Sequence, residues 1–290
     1  MADGLIDLPI AVDMLEAAQS SGLDLRAALA GNDEQLRPTE IAQPALLFVE
    51  CALRSTLPED LDVVAVAGHS VGEYAAAVAA HALQPSDAMR LVIERGKAMA
   101  AMRDGTMCAL IGIDVDAAIA VCAETQRETG EIVVVANLNA PGQLVISGSI
   151  GGVESASKLA LSRGARRAIP LNVSGAFHSP LMTAAASRFD VALDGVALAD
   201  PNPPVVCNVD ASDVHSAAAL RDRLRAQLTS PVRWIDSVHR LVDLGAETLV
   251  EVGPGAVLSG LARRIAPDVR AIAVSTPDAA SRLDVAAVAG

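Results

Sequence analysis

Six short apolar runs rich in β-branched residues punctuate the chain, at 62–67 (DVVAVA), 132–136 (IVVVA), 144–147 (LVIS), 205–209 (VVCNV), 247–252 (ETLVEV) and 270–274 (RAIAV). Runs of this kind read as buried strands. Most are separated by Ala- and Leu-rich stretches of helical character. Strands alternating with helices predict an α/β fold whose sheet is mostly parallel and covered on both faces.

Residues 104–174 follow a different order. A short strand (MCALIGI) is followed by a helix (DVDAAIAVCAET), two closely spaced strands (IVVVANLNAPGQLVISG), a helix (VESASKLALSRG) and a last strand (RRAIPLN). The βαββαβ order is that of the split βαβ, or ferredoxin-like, unit. The expected organisation is therefore a large domain over 1–103 and 175–290 with a small inserted domain over 104–174.

At 290 residues the chain is long enough to bury a sizeable core. Aromatics are only 2% of it, so that core must come from Ala, Val, Leu and Ile. The four cysteines, Cys51, Cys108, Cys122 and Cys207, show no Cys-x-x-Cys spacing, which predicts buried free thiols rather than disulfides or a zinc site. Asp3, Asp7 and Asp13 precede the first basic residue, Arg26, unlike a secretion signal, and no apolar run approaches bilayer length. A cytoplasmic protein without membrane contact is expected. The formal charge of −13 repels nucleic acid. Any acidic partner must dock on a local patch such as Arg163, Arg166 and Arg167, or Arg263 and Arg264.

The segment DVVAVAGHSVGEYAAAVAAHAL places Gly68-His69-Ser70-Val71-Gly72 between a strand and an Ala-rich helix. That is the context of a nucleophile elbow. Glycines on either side permit a tight turn that lifts Ser70 Oγ to the helix N-terminus, where the Val71 N–H and the helix dipole stabilise an oxyanion. A serine hydroxyl needs a base. Among the five histidines, His69 reads as a packing residue of the turn, and His81, His215 and His239 read as surface or satisfied side chains. His178 differs, lying in a Gly-containing turn, VSGAFHSPLM, where the chain leaves the small domain.

Five motifs, GHSVGEY (68–74), NLNAPGQLVISG (137–148), VSGAFHSPLM (173–182), QLTSPVRW (227–234) and VEVGPGAVLSGLARR (250–264), together resemble the malonyl-CoA:acyl-carrier-protein transacylases and the related acyltransferase domains of polyketide synthases. The resemblance runs from about residue 8 to residue 265. It implies an α/β-hydrolase-like large domain with a ferredoxin-like insert, no bound cofactor, and transfer of malonyl from malonyl-CoA to the phosphopantetheine of an acyl carrier protein. Fatty-acid or polyketide synthesis would use that product, and a monomer is expected. On matching positions it implies Ser70 as nucleophile, His178 as base, and the Gln227 main-chain carbonyl as the group that orients His178. It implies Arg95, in LVIERGKAM, as the grip on the malonyl carboxylate, a bidentate task suited to guanidinium. Phe177 matches the bulky residue that disfavours a methyl branch. Asn137 and Asn139 match polar cleft positions, with two readings open: ordering a loop or contacting substrate, and capping turn backbone.

One departure stands out. The family opens with a strand and a Gly-Gln-Gly-Ser-Gln turn whose first glutamine supplies a second oxyanion donor, whereas this chain begins MADGLIDLPIAVDMLEAA and its Gly142-Gln143 pair belongs to another motif. For a chain starting at Met1 the resemblance implies Val71 N–H as sole donor, a rate lowered by about 10²–10³, and a sheet one strand short. A start further upstream restores both. The competing functions are a weakly catalytic subunit that binds CoA or a carrier protein, and a thioesterase sharing the elbow. In the second, an acid and a late histidine are expected, and His178 is mid-chain.

Overall fold

Pro9 opens the first helix, α1 (Pro9–Ser20), where its fixed φ suits a first turn that needs no N–H partner. Asp24 caps α2 (Leu25–Ala30) by accepting the Ala27 N–H at 3.0 Å. A long α3 (Thr39–Arg54), a two-residue strand β1 (Val66–Ala67), α4 (Gly72–Ala79) and α5 (Pro85–Ala100) follow. The computed structural model describes residues 4–32, 34–173 and 175–283. Helices α3, α4 and α5 bury Leu47, Phe48, Tyr74, Met89 and Val92 in one core. That packing fixes two faces that matter below: α4 leaves the elbow, and α5 carries Arg95.

The segment 104–173 forms β2 (Thr106–Ile111), α6 (Val115–Thr129), β3 (Val133–Ala140), β4 (Gln143–Gly148), α7 (Ile150–Ser162) and β5 (Arg167–Pro170). Its strands pair antiparallel in the order β3-β4-β2-β5. Asp114 and Ser149 cap the two helices, and Gly130 ends α6 in the left-handed conformation. Cys108, Leu110, Val121, Ile146, Val153 and Ala156 fill a separate core between sheet and helices. Ser174, the expected last residue of this unit, lies outside the described residues, as do 1–3, 33 and 284–290 of the expected large domain. Strand β3 is tied back to the rest of the chain: Leu138 N–H donates to Val232 O at 2.9 Å and Val232 N–H to Ala136 O at 2.8 Å.

The remainder comprises α8 (Thr183–Asp194), β6 (Val205–Val206), β7 (Asp213–Val214), α9 (Ala217–Ala226), α10 (Trp234–Asp243), β8 (Thr248–Val252), α11 (Val257–Ile265), β9 (Arg270–Val274) and α12 (Pro277–Ser281). Strand β1 pairs parallel with β6, β6 antiparallel with β7, and β8 parallel with β9 in a separate sheet. The α/β class holds, but the expected mostly parallel sheet is corrected to mixed, divided sheets. The runs at 62–67 and 205–209 yield only two paired residues each. For the first run the physical reason is a missing neighbour: an apolar cleft of about 490 Å³, lined by Val63, Val64, Leu249 and Val250, lies between the two sheets, so the backbone of 63–65 has no ladder partner; β6 has neighbours on both sides and is short on its own account. Its lining includes Gly68, His69 and Gly72 but not Ser70.

Candidate active site

The turn from β1 into α4 puts Ser70 at φ +53°, a strained conformation for a residue with a side chain. It is possible only because Gly68 and Gly72 touch: a Cβ on Gly68 would sit 2.0 Å from the Gly72 backbone. Asn208, buried just beyond β6, clamps the turn on both sides. Its Oδ1 accepts the Ser70 N–H at 2.7 Å, and its Nδ2 donates to Gly68 O at 2.7 Å. Val71 is the N-cap of α4, so its N–H belongs to the group of first-turn donors that no helical carbonyl can reach.

His178 is buried, and it too has a positive φ, +57°. Ser179 holds its turn by donating its hydroxyl to Ala176 O at 2.6 Å. The imidazole Nε2 lies 2.8 Å from Ser70 Oγ, and Nδ1 lies 3.0 Å from Gln227 O. A carbonyl only accepts, so Nδ1 carries the proton and Nε2 is free to receive the serine's. Burial first, and then the Arg95 charge, push the His178 pKa down to about 3, against smaller upward contributions from its carbonyl partners. At neutral pH the ring is a neutral acceptor.

Arg95 projects from α5 and is only 1% exposed, which removes the reading of a solvated helix arginine. Its Nη1 donates to Gln43 Oε1 at 2.5 Å, and its Nη2 to Gln227 Oε1 at 2.9 Å and Ser70 Oγ at 3.2 Å. Its Cζ stands 5.7 Å from the centre of the Tyr74 ring. Burial lowers the Arg95 pKa while Tyr74 and Glu73 raise it. A fixed cationic fork beside a hydroxyl suits an acyl group that itself carries a carboxylate.

The other expected positions divide. Gln227 brings its carbonyl to His178 and its side chain to Arg95, so it serves twice. Asn139 Oδ1 accepts from His69 Nε2 at 2.8 Å, and the His69 ring meets Trp234 edge-on at 5.5 Å, tying β3 to the elbow. Asn137 is buried at a bulge of β3, opposite Val145 and bridged to Val232. Phe177 packs against the main core and against the inner face of the small sheet, directly before the histidine. Gln43, Glu73 and Asn208 escaped sequence reasoning. Each is a lone polar residue in an apolar context (IAQPALL, GEYAAA, VVCNV), a weak signal that a buried partner exists. Among the described residues no cluster of His, Cys, Asp and Glu could hold a metal ion, and no helix is long and apolar enough to cross a membrane.

Residues 11–277 match the acyl transferase domain family. The chain is 44% identical over 252 residues to the malonyl CoA-acyl carrier protein transacylase of Bacillus subtilis (strain 168), covering 86% of this chain and 79% of that one. Among solved structures, the acyl-carrier-protein S-malonyltransferase of Burkholderia pseudomallei 1710b superposes with a TM-score of 0.88 at 36% identity, covering 97% of this chain and 93% of that one. A malonyl-transacylase solved in complex with its type II PKS acyl-carrier protein gives a TM-score of 0.88 at 38% identity, over 94% and 89% of the two chains.

Proposed function

The chain belongs to the malonyl CoA-acyl carrier protein transacylase family of acyl transferase domains, and from that premise we propose that it transfers a malonyl group from malonyl-CoA to the phosphopantetheine thiol of an acyl carrier protein through an ester on Ser70. One observation carries the reading to these residues. The buried Arg95 guanidinium lies 3.2 Å from the same Oγ that His178 contacts at 2.8 Å. An acyl group on Ser70 that bears a carboxylate finds its counter-charge there.

In the first half-reaction His178 Nε2 takes the hydroxyl proton as Ser70 Oγ attacks the thioester carbonyl. The Val71 N–H and the α4 N-terminus face the oxyanion. Collapse expels the CoA thiolate, which takes the proton back from His178 and departs as the thiol. The second half mirrors it. His178 takes the proton of the pantetheine thiol, the sulfur attacks the Ser70 ester, and the proton returns to Ser70 Oγ. The Gln227 carbonyl holds one tautomer throughout. Phe177 crowds the acyl α-carbon against a methyl branch, Asn139 orders the elbow through His69, and Asn137 faces substrate from β3.

The same reading divides the chain into a large α/β-hydrolase-like domain, over 1–103 and 175–290, and a ferredoxin-like insert over 104–174. The antiparallel order β3-β4-β2-β5, with its own core, supports the insert. The dyad and the arginine come from one chain, in line with a monomer; the proposed place of action is the cytoplasm.

The test is product partition. Incubated with malonyl-CoA and a holo acyl carrier protein, the chain should form malonyl-carrier faster than free malonate. Predominant malonate release would make it a hydrolase. Binding without either product would make it a binding subunit.

A further inference from the structure

The helix that follows Ser70 carries a second buried ionisable group, Glu73, which the transfer chemistry above does not use. It sits in the first turn of α4 with both carboxylate oxygens engaged. One accepts the Asn208 N–H at 3.2 Å, and the other accepts Gln227 Nε2 in a close contact. Gln227 Nε2 also donates to Ser70 O at 3.0 Å. Through the Asn208 main chain and the Gln227 amide a single carboxyl reaches both flanks of the nucleophile, the carbonyl that orients His178, and Arg95.

We propose that Glu73 is a positioning residue of the reaction, and that it takes up a proton when the carboxylate of the acyl donor reaches Arg95. The proposal rests on the malonyl-transfer reading. The charge count is the argument. Glu73 and Arg95 are bridged by the Gln227 amide, which accepts from Arg95 and donates to Glu73, so with Glu73 ionised the resting pocket holds one anion and one cation. An arriving carboxylate makes two anions for one guanidinium in a dry site, where like charges cannot both stay ionised cheaply. The incoming group is fixed as an anion by Arg95, so Glu73 is the one that protonates.

The groups around Glu73 fit this role. Against burial, the Gln227 side chain, the Cys207 thiol beside β6 and the Asn208 N–H favour the anion, as does Arg95 on α5. Tyr74, its neighbour on α4, is buried and held neutral by that burial, and His178 is a neutral acceptor. Burial outweighs the favourable partners and raises Glu73 to about 7, within reach of a proton at working pH. By linkage, a group that gains a proton on binding makes binding weaken as pH rises through that value.

The experiment counts protons. Binding of malonyl-CoA to the Ser70→Ala protein, which cannot form the ester, is measured calorimetrically at about pH 8 in two buffers of different ionisation enthalpy. A carboxyl of pKa about 7 is mostly ionised there. The expected result is net uptake of most of one proton per ligand, abolished when Glu73→Gln is added. Uptake that persists with Glu73→Gln, no uptake at all, or no binding overturns the proposal. In the protein with Ser70 intact, Glu73→Gln should slow acylation by up to about 100-fold and flatten its pH dependence near 7. A purely structural role would slow it equally at every pH. Failure of malonyl transfer itself shows separately, as no ester on the parent protein.

Discussion

Arg95 Nη2 donates to Ser70 Oγ across 3.2 Å and to Gln227 Oε1 at 2.9 Å, while its Nη1 donates to Gln43 Oε1. The cation is therefore built into the nucleophile's immediate surroundings rather than placed at the mouth of a groove. Arg95→Ala removes a charge-assisted pair of roughly 1.5–3 kcal/mol per bond. The expected outcome is a fall in kcat/KM for malonyl-CoA of about 100-fold or more, with Arg95→Lys recovering only part of it because the fork is lost. Equal kcat/KM values for Arg95→Ala and the parent would refute the assignment.

His178 makes an acid-side prediction. Its pKa is about 3 in the folded chain, below the ordinary histidine value of 6.5. The unfolded chain therefore binds a proton between those values that the folded chain refuses. Stability from this group is complete above about 6.5 and is lost as pH falls towards 3. Denaturant midpoints measured from pH 7 to 4 should fall less steeply in His178→Gln than in the parent. The acylation rate, in turn, should keep its neutral base well below pH 6.

The clamp on the elbow is tested by Asn208→Ala. It leaves the Ser70 N–H and Gly68 O without their buried partner. The cost should be about 1–3 kcal/mol for each unsatisfied group, read as a shift in the denaturation midpoint. Acylation should fall further than stability alone explains, because Ser70 must hold its positive φ to reach His178.

How far this site could be read from the sequence depends on how local each part is. The Gly68 to Gly72 turn, its flanking strand and the Ala-rich α4 are contiguous, so the strained serine is legible from its neighbours. The small antiparallel sheet is equally legible, because its strands and helices alternate within 104–173 and bury their own core. Asn208, Glu73 and Gln43 are not. Glu73 meets Asn208 across 135 positions and Gln227 across 154, contacts that only the tertiary fold creates. The short pairing of β1 and β6 is hidden for the same reason: apolar character marks a strand, but a ladder needs a partner in space.

Phe177 is the position for altering selectivity. If the ring crowds the acyl α-carbon as proposed, replacing it with Ser opens volume beside the ester, and a single methyl in an apolar pocket is worth about 1–3 kcal/mol. Phe177→Ser should raise the ratio of methylmalonyl to malonyl transfer by about tenfold or more. An unchanged ratio would place the ring outside the acyl pocket.

The most direct test of the account is the intact mass of the purified chain after incubation with malonyl-CoA, with Ser70→Ala in parallel. The account predicts a gain of one malonyl group on the parent and none on Ser70→Ala. No gain on the parent, or the same gain on both, would contradict a Ser70 acyl-enzyme.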